Sequence, residues 1–379
     1  MSPPSPHVLM TADAVGGVWV YAMTLARGLC REGCHVTLVT LGPRPSDDQV
    51  RSLRETPRLS LEVTDLALEW MDPQASDLSR AIDVLQAIAR RVRPDVVQLN
   101  GYREAQADWR VPVVVAAHSC VRSWWHACRG GEPDEPRWAI YNANVAAGLA
   151  AADAWLAPTA AFRDIIARLY APPIVGGVIW NGLDGAARSG EREPVILTAG
   201  RVWDEAKNIG VLGQVAPQLP WPVHVAGPLT SAAGDDCSAA ARGLHVLGEL
   251  SRDELFGAMG RASIFVSPAV YEPFGLTVLE AAQAGCALVL SDIPTFRELW
   301  DGAALFVDAR DPASIGAVLA HLTRNAPLRQ DLQRRARAHA RRFSAQAMTD
   351  RYRAAYGALL DRTPAPAFGA RGAFIEARS

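Results

Sequence analysis

The chain has 379 residues, a formal net charge of −2, and 49% hydrophobic and 21% charged residues. This balance is typical of a folded protein with about two domains and excludes a disordered chain. The near-zero charge gives no reason to expect a nucleic-acid partner, and no apolar run reaches the roughly 18 residues of a transmembrane helix.

Two further features predict a cytoplasmic protein. The six cysteines contain no CxxC pair and no regular disulfide framework, which indicates reduced thiols. The first ten residues, MSPPSPHVLM, lack the basic and apolar regions of a signal peptide.

The first half of the chain alternates short apolar runs with longer amphipathic segments, which predicts a doubly wound α/β domain with a parallel sheet. Strands are expected at His7–Met10, Val36–Thr40, Asp95–Leu99, Val111–Ala117 and Ala154–Ala157, and helices at Val18–Arg31, Leu78–Arg91 and Pro136–Ala152.

The same pattern restarts after a polar linker, which predicts a second α/β domain. The linker is Asp184–Pro194, and the later strands are Val195–Ala199, Val223–Ala226, His245–Leu247, Ser263–Val266 and Ala287–Leu290. Asp311–Leu360 is expected to be helical and Thr363–Ser379 to be a mobile tail. The arginine-rich part of that helical region, residues 329–342, is expected to be a solvated face, with a weak peripheral contact to anionic lipid as the alternative.

The segment from Tyr271 to Gly285 carries the densest chemical signal. Its Pro and Gly residues mark a turn before a helix that begins near Leu276, so the amides of Gly275, Leu276 and Thr277 would form an anion site. Glu272 precedes the helix, and Glu280 lies on the same helical face as Thr277. A phosphate cradle flanked by carboxylates and a simply capped helix with two surface glutamates remain equal alternatives from the residues alone.

A second signal follows the first strand of the second domain. Arg201 can bind two phosphate oxygens with its planar guanidinium, and Lys207 can supply a compact positive charge. Lys207 is the one lysine among 38 basic residues. Two cations facing a helix N-terminus would stabilise a diphosphate leaving group.

A third signal is Gly16–Gly17, in the loop after the first strand, where glycines would let a backbone approach a phosphate. The loop reads AVGGVW rather than GxGxxG, so a nicotinamide-dependent dehydrogenase is disfavoured.

With these motifs together, the chain resembles the retaining glycosyltransferases of family 4, over nearly its whole length to about Leu360. Glu272 and Glu280 match the family's E-x7-E pair, and Gly200, Arg201 and Lys207 lie in its G-R-x(5)-K motif. Further matches are the amino-terminal GGV loop, His118 after the strand Val111–Ala117, and Trp180–Asn181–Gly182, where tryptophan replaces the usual proline of P-N-G.

The resemblance implies a GT-B fold of two facing Rossmann-like domains with a cleft between them. It divides the chain into an acceptor-side domain at 1–185, a nucleotide-sugar domain at 186–342, a helix at 343–360 that crosses back to the first domain, and a flexible tail at 361–379.

The resemblance also assigns roles to the site residues. Arg201 and Lys207 would hold the diphosphate, Glu280 the ribose, and Glu272 with the backbone of Phe274, Gly275 and Leu276 the donor sugar. Thr277 would touch a phosphate, and His118 would contact the sugar near the reacting carbon. Gly16, Gly17, Asn181, Gly200 and Leu250 complete the expected donor-binding set, and backbone groups near Glu249–Leu250 would read the edge of the nucleotide base.

The implied reaction is retaining transfer of a hexose-type sugar from a nucleotide-diphosphate sugar, with UDP favoured, to an acceptor hydroxyl by front-face attack. No metal or other cofactor is expected, because the basic pair supplies the positive charge. The acceptor would be a glycan, a lipid-linked sugar or a small molecule. The alternatives are a GT-B sugar phosphorylase or nucleotide-sugar epimerase, and a non-catalytic nucleotide-sugar-binding protein.

Acceptor-side residues are expected at the strand ends of the first domain. Asp13 ends the first strand, and Asn100 and Tyr102 follow the third. Trp124 and Trp125 either belong to the core, as such aromatics more often do, or offer an aromatic face that stacks on a sugar ring. The nearby set His118, Cys120, His126 and Cys128 contains zinc-ligand residue types, but its spacing is unusual, so metal binding is disfavoured.

Overall fold

The structure is a computed structural model that describes residues 5–14, 16–185, 191–230, 234 and 236–361. The chain forms two compact units. Residues 5–126, 131–182 and 345–361 form the first, and residues 127–130 and 183–344 form the second. The predicted mobile tail, Val15 of the GGV loop and residues 186–190 of the predicted linker lie outside the described residues.

The first unit is built on a parallel sheet of seven strands in the order β3-β2-β1-β4-β5-β6-β7. Its central strands are short apolar runs buried along their whole length, as expected for a sheet covered on both faces. The strands are β1 His7–Asp13, β2 His35–Leu41, β3 Leu59–Val63, β4 Val96–Leu99, β5 Val113–Ala116, β6 Ala154–Ala157 and β7 Gly177–Val178.

Six helices of the first half of the chain connect these strands. The first, α1, follows Gly16, whose positive φ of 76° makes the turn out of the β1 loop. The helices are α1 Gly17–Arg31, α2 Asp47–Arg54, α3 Leu78–Val92, α4 Val121–Cys128, α5 Pro136–Ala151 and α6 Ala160–Tyr170.

The second unit repeats the design with a parallel sheet of six strands in the order β10-β9-β8-β11-β12-β13. One apolar core joins the inner strands to the helices, with Ile196, Leu212, Ile264, Val289 and Ile315 all buried. The strands are β8 Glu193–Ala199, β9 Val223–Ala226, β10 His245–Gly248, β11 Ala262–Ser267, β12 Ala287–Ser291 and β13 Ala304–Val307. The helices are α7 Gly210–Val215, α8 Arg252–Arg261, α9 Leu276–Ala284, α10 Pro294–Trp300, α11 Pro312–Arg324 and α12 Ala326–Ala340.

The last helix, α13 (Ala345–Leu360), belongs to the first unit, where it packs against α1. The two helices approach closely at Gly28, because a Cβ atom there would overlap Thr349 Oγ1 of α13. Buried Tyr352, Tyr356 and Leu359 complete the inner face of α13.

The two parallel sheets confirm the predicted Rossmann-like fold, and two strands, Ala154–Ala157 and Val223–Ala226, have the predicted bounds. Three strands, β3, β7 and β13, were not predicted. Among the residues described, none of the helices combines the length and the hydropathy of a membrane-spanning segment.

Candidate active site

In the second unit, the loop after β8 is held close to the loop after β9. Gly200 N donates to Ala226 O at 2.9 Å. Gly227 has a φ of 144°, and a Cβ atom at this position would overlap Gly200 O. Glycine is therefore required here, and the close backbone approach fixes the start of the loop that carries Arg201 and Lys207.

Arg201 is held by one end of its guanidinium. Its Nη2 donates to Asp204 Oδ2 at 2.6 Å, and the group lies 5.3 Å from the Trp203 ring centroid. Burial would raise the pKa of Asp204, but the cations of Arg201 and Lys207 and the Ala206 amide outweigh it, so the pKa lies below its ordinary value. The Nε atom of Arg201 is buried with no hydrogen-bond partner among the described residues, so it is a donor suited to an anionic ligand.

Lys207 and Glu272 form an ion pair with 2.6 Å between Nζ and Oε2. The side chains keep 23% and 15% of their exposure, so the pair lies in a recess that a ligand can reach. The backbone explains the pairing, because Val270 N donates to Ala206 O at 2.9 Å and ties the two loops together. One donor of the ammonium is used by Glu272, and two remain for a ligand.

The helix start that was predicted to offer free amides to an anion is present. Gly275 is the N-cap of α9 with a φ of 87°, and the first amide bonded inside the helix is that of Val278, which donates to Gly275 O at 3.0 Å. The amides of Gly275, Leu276 and Thr277 therefore precede the bonded part of the helix. Phe274 is buried beneath this turn and packs edge-on to Phe343, with 5.8 Å between the ring centroids.

Glu280 lies one turn further along α9 and is 7% exposed. Burial raises the pKa of its carboxyl group, and the Arg252 guanidinium, 3.6 Å away, opposes this. A buried carboxylate whose ion pair is this long keeps its oxygens suited to accept hydrogen bonds from hydroxyl groups. Leu250, the candidate base-side residue, follows the end of β10 and is half-buried.

A cavity of about 450 Å³ lies beside the loop of Lys207 in the second unit. Two of its lining residues hold that loop, since Val270 N bonds to Ala206 O and Ala309 O accepts from Asn208 Nδ2 at 2.7 Å. The lining residues are Val270, Asp292, Ile293, Asp308, Ala309 and Arg310.

In the first unit, His118 follows β5 and its ring is fixed by two neighbours. Nε2 lies 3.0 Å from Asn100 Oδ1, and the ring meets the edge of Tyr21 with 4.4 Å between the centroids. Burial lowers the pKa of His118 to about 4, so the imidazole is neutral at physiological pH.

Other candidates surround His118 at the carboxyl edge of the same sheet. Asn100 donates from Nδ2 to Thr11 O at 2.6 Å, and Tyr102 donates from its hydroxyl to Ser119 O at 3.0 Å. The structure thus brings Asn100, Tyr102 and the His118 loop together. Asp13 ends β1, and Gly16 and Gly17 are exposed at the start of α1.

The remaining candidates of the first unit lie on other elements. Trp124 and Trp125 are half-buried neighbours on α4 with ring centroids 6.2 Å apart. Asn181 is 6% exposed. Adjacent Trp180, where the family has proline, lies 5.3 Å from the guanidinium of Arg351 on α13.

The histidine–cysteine set does not form a cluster. His126 Nε2 lies 2.9 Å from Glu132 Oε1, and Cys120 Sγ lies 3.1 Å from Ser123 Oγ. Within the described ranges, no group of three or more histidine, cysteine or carboxylate residues has a geometry that could hold a metal ion.

Sequence reasoning missed a buried charged group beside Tyr102. Arg103 is 1% exposed and pairs with Asp72 at 2.8 Å and Glu104 at 2.9 Å. Glu69 Oε2 accepts from the amides of Tyr102 and Arg103 at 3.1 and 3.3 Å. Burial, together with the Glu104 charge, raises the pKa of Glu69 to about 7. The adjacent charges of Arg103 and Glu104, directly after a buried strand, were the available signal.

Comparison with known proteins covers both units. A family model described as Glycosyltransferase Family 4 matches residues 15–186, and one described as Glycosyl transferases group 1 matches residues 184–339.

Curated relatives match along most of the chain. A D-inositol 3-phosphate glycosyltransferase of Xylanimonas cellulosilytica is 29% identical over 394 aligned positions, which cover 90% of this chain and 92% of that protein. An alpha-maltose-1-phosphate synthase of Mycobacterium tuberculosis is 26% identical and covers 81% of this chain and 85% of its own length.

Solved structures share the fold at low identity. Sucrose-phosphate synthase from Thermosynechococcus elongatus matches with a TM-score of 0.76 and 16% identity, over 93% of this chain and 98% of that one. Anabaena HepE in complex with UDP and glucose matches with a TM-score of 0.75 and 13% identity, over 93% of this chain and 100% of that one. With its two Rossmann-like sheets and both family domains, the chain belongs to the family 4 type of glycosyltransferases with the GT-B fold.

Proposed function

We propose that this glycosyltransferase moves a hexose-type sugar from a nucleotide-diphosphate sugar, with UDP as the favoured nucleotide, to an acceptor hydroxyl with retention of anomeric configuration. The observation that carries the proposal is the Lys207–Glu272 pair beside the N-terminus of α9. Lys207 would supply a cation for phosphate and Glu272, in direct contact with it, a carboxylate for sugar hydroxyls.

The diphosphate would be held by positive charge from the protein alone. Lys207 has two ammonium hydrogens left for phosphate oxygens, and Arg201 has a buried Nε donor without a partner in the described part of the chain. The amides of Gly275, Leu276 and Thr277 add the positive end of a helix dipole. These groups would stabilise the charge that develops on the leaving diphosphate, so we propose that no metal ion or other cofactor is required.

The rest of the donor would extend along the same edge of the second sheet. Glu280, buried and paired with Arg252 only at 3.6 Å, would accept hydrogen bonds from the ribose hydroxyls. Backbone groups near Leu250 and Gly200 would contact the nucleotide, and Glu272 with the Phe274–Leu276 backbone would hold the sugar.

The first unit would provide His118, Gly16, Gly17 and Asn181 to the donor. A neutral His118 would contact the sugar near the reacting carbon without adding a positive charge. The leaving phosphate would accept the proton of the acceptor hydroxyl in a front-face reaction.

The acceptor would be a glycan, a lipid-linked sugar or a small molecule bound near Asp13, Asn100, Tyr102, Trp124 and Trp125. Two relatives are named for phosphorylated sugars or cyclitols, and the pair Glu69 and Glu104 beside Tyr102 supports an acceptor with hydroxyl groups at this edge.

All six cysteines are free thiols, which supports a cytoplasmic location.

Nucleotide binding tests the proposal directly. The melting temperature of the wild type is measured with excess UDP, GDP or ADP, beside Lys207→Ala and a control, Arg337→Ala, on the exposed face of α12. A nucleotide at about 100 times its Kd adds roughly 2.7 kcal/mol. UDP should stabilise the wild type and the control far more than Lys207→Ala.

Two results would count against this assignment. A wild type that none of the three nucleotides stabilises would contradict the donor site, and equal stabilisation of Lys207→Ala would contradict the role of Lys207. Once turnover of UDP-glucose is measured, its persistence in EDTA tests metal independence, and the anomeric configuration of the product tests retention.

A further inference from the structure

A chain of buried polar side chains links α13 to His118 inside the first unit. At its centre lies Gln98 on β4, which is fully buried. Its Oε1 accepts a hydrogen bond from the Tyr356 hydroxyl, and its Nε2 donates to the Tyr21 hydroxyl at 2.9 Å. The Tyr21 hydroxyl in turn donates to the Tyr352 hydroxyl at 2.5 Å. Tyr356 therefore bonds to Gln98 directly, and Tyr352 is connected to Gln98 through the Tyr21 hydroxyl.

The chain continues from Gln98 to Asn100, two residues further along. Gln98 Nε2 lies 3.4 Å from Asn100 Oδ1. Asn100 Nδ2 donates to Thr11 O at 2.6 Å, which leaves Oδ1 as the acceptor that faces Gln98 and His118. The amides of Gln98 and Asn100 are thus each fixed in one orientation by partners on both ends.

This polarity determines the tautomer of His118. Because Asn100 Oδ1 can only accept, the bond of 3.0 Å requires the hydrogen of the neutral imidazole on Nε2. Nδ1 is then unprotonated and is an acceptor for a hydroxyl group. The low pKa of the imidazole keeps this neutral form over the physiological range.

Tyr21 fixes the His118 ring by packing, and its own position is fixed by hydrogen bonds. Its ring meets the His118 ring edge-on with 4.4 Å between the centroids, and its hydroxyl is clamped between Gln98 and Tyr352. Tyr21 therefore couples the position of α13 to the orientation of the His118 imidazole.

An apolar interface would hold α13 equally well. Tyr21, Tyr352 and Tyr356 are at most 2% exposed, and burying their hydroxyl groups costs free energy unless every group is bonded. A helix that only covers α1 needs no such groups, whereas all three hydroxyls here belong to one network that ends at His118.

We propose that Tyr352 and Tyr356 are positioning residues that hold His118 in its Nε2–H form and orientation, through Tyr21, Gln98 and Asn100. This inference rests on the proposed contact of His118 with the donor sugar. In this proposal α13 helps to orient an active-site side chain, His118.

A double-mutant cycle separates positioning from mere stabilisation. Turnover of UDP-glucose, followed as release of UDP, is measured for the wild type, Tyr356→Phe, His118→Ala and the double variant, with Tyr352→Phe in parallel. Each phenylalanine keeps the ring and removes one hydroxyl. Tyr356→Phe should lower kcat about tenfold with KM almost unchanged, and should have no further effect when His118 is alanine.

The control is Tyr170→Phe, which removes the hydroxyl of a half-buried tyrosine that bonds to Asn142 and Cys120 outside this network. It should leave kcat unchanged. A Tyr356→Phe loss of the same size in both backgrounds overturns the positioning role. Wild-type turnover by His118→Ala instead overturns the proposed role of His118 itself.

A second measurement does not depend on turnover. Protein labelled with ¹⁵N-histidine reports the protonation of each ring nitrogen by NMR, and the His118 signals are those missing from His118→Ala. The wild type should show a protonated Nε2 and an unprotonated Nδ1. Tyr352→Phe and Tyr356→Phe should shift these signals and speed exchange of the Nε2 hydrogen, whereas unchanged signals in both variants overturn the proposal.

Discussion

The Lys207 ammonium lies 2.6 Å from the Glu272 carboxylate, although 64 residues separate the two in sequence. The backbone bond from Val270 to Ala206 creates this proximity. In the absence of a donor, each charge compensates the other, so neither is left buried and unpaired. A bound diphosphate sugar would share the pair, with phosphate on the lysine and hydroxyls on the glutamate.

Removal of one member of this pair should destabilise the protein more than removal of both. Lys207→Ala leaves the Glu272 carboxylate in a recess without its cation, and we expect a loss of about 1–3 kcal/mol for either single variant. Urea unfolding of the two singles and of the Lys207→Ala/Glu272→Ala double variant measures the coupling. The double loss should be smaller than the sum of the single losses, and strictly additive losses would contradict an interaction between the two side chains.

His118 should make stability fall in mild acid. Burial lowers the pKa of His118 to about 4 in the folded protein, below its ordinary value near 6.5. Between these two pH values the unfolded chain binds more protons than the folded one. The free energy of unfolding therefore decreases as the pH falls from about 6.5 towards 4. His118→Gln should lose less stability between pH 7 and 5 than the wild type.

His321→Gln is the matched control for this titration, since His321 is exposed on α11. It should follow the wild-type pH dependence in urea unfolding. An identical pH dependence for His118→Gln would mean that His118 is solvated and titrates normally.

Glu69 predicts an opposite trend at higher pH. Its pKa is raised to about 7 by burial and by Glu104, so the folded state holds a proton that the unfolded state releases near pH 4.5. Its contribution to stability is present below pH 4.5 and is lost as pH rises towards 7 and beyond. Glu69→Gln should therefore gain stability relative to the wild type at pH 8 but not at pH 5.

Glu55→Gln, at an exposed carboxylate, should show no such relative gain between the two pH values. If Glu69→Gln and Glu55→Gln behave alike in urea unfolding at pH 5 and pH 8, the Glu69 carboxyl is ionised normally in the folded protein.

Gly227→Ala should disrupt the donor loop through the backbone alone. The added Cβ would overlap Gly200 O, and alanine is also strained at a φ of 144°. We expect a lower melting temperature and at least tenfold weaker UDP binding, because the shift moves the residue before Arg201. Gly316→Ala on α11, where the nearest atoms lie at ordinary distances of 3.5 Å or more, should leave UDP binding intact. Unaltered UDP affinity in Gly227→Ala would show that this loop does not bind the nucleotide.

The sequence predicted the interior of each sheet better than its margins. The central strands are mostly apolar, with rare exceptions such as Gln98 on β4, because helices cover both faces. The three strands that the sequence did not reveal, β3, β7 and β13, are all edge strands. An edge strand has one neighbour and buries less, so every residue of β3 is half-buried or exposed, and β7 contains only two residues.

The candidate site was predictable where it follows one strand or one helix start. The spacing of Arg201 and Lys207 and of Glu272 and Glu280 is local, so motifs identify these residues. The bond between Lys207 and Glu272 depends on how two loops are tied together. The path from Tyr356 through Gln98 to His118 joins residues up to 258 positions apart, and no local pattern encodes it.

The position of α13 determines when the first unit can be completed during synthesis. Its partner α1 begins at Gly17, whereas α13 begins at Ala345, so the last helix that the structure describes covers the first one. The ribosome synthesises all residues of the second unit before it synthesises α13. The apolar face of α1 around Gly28 therefore stays uncovered through most of translation, and the second unit has all its residues before the first unit has its final helix.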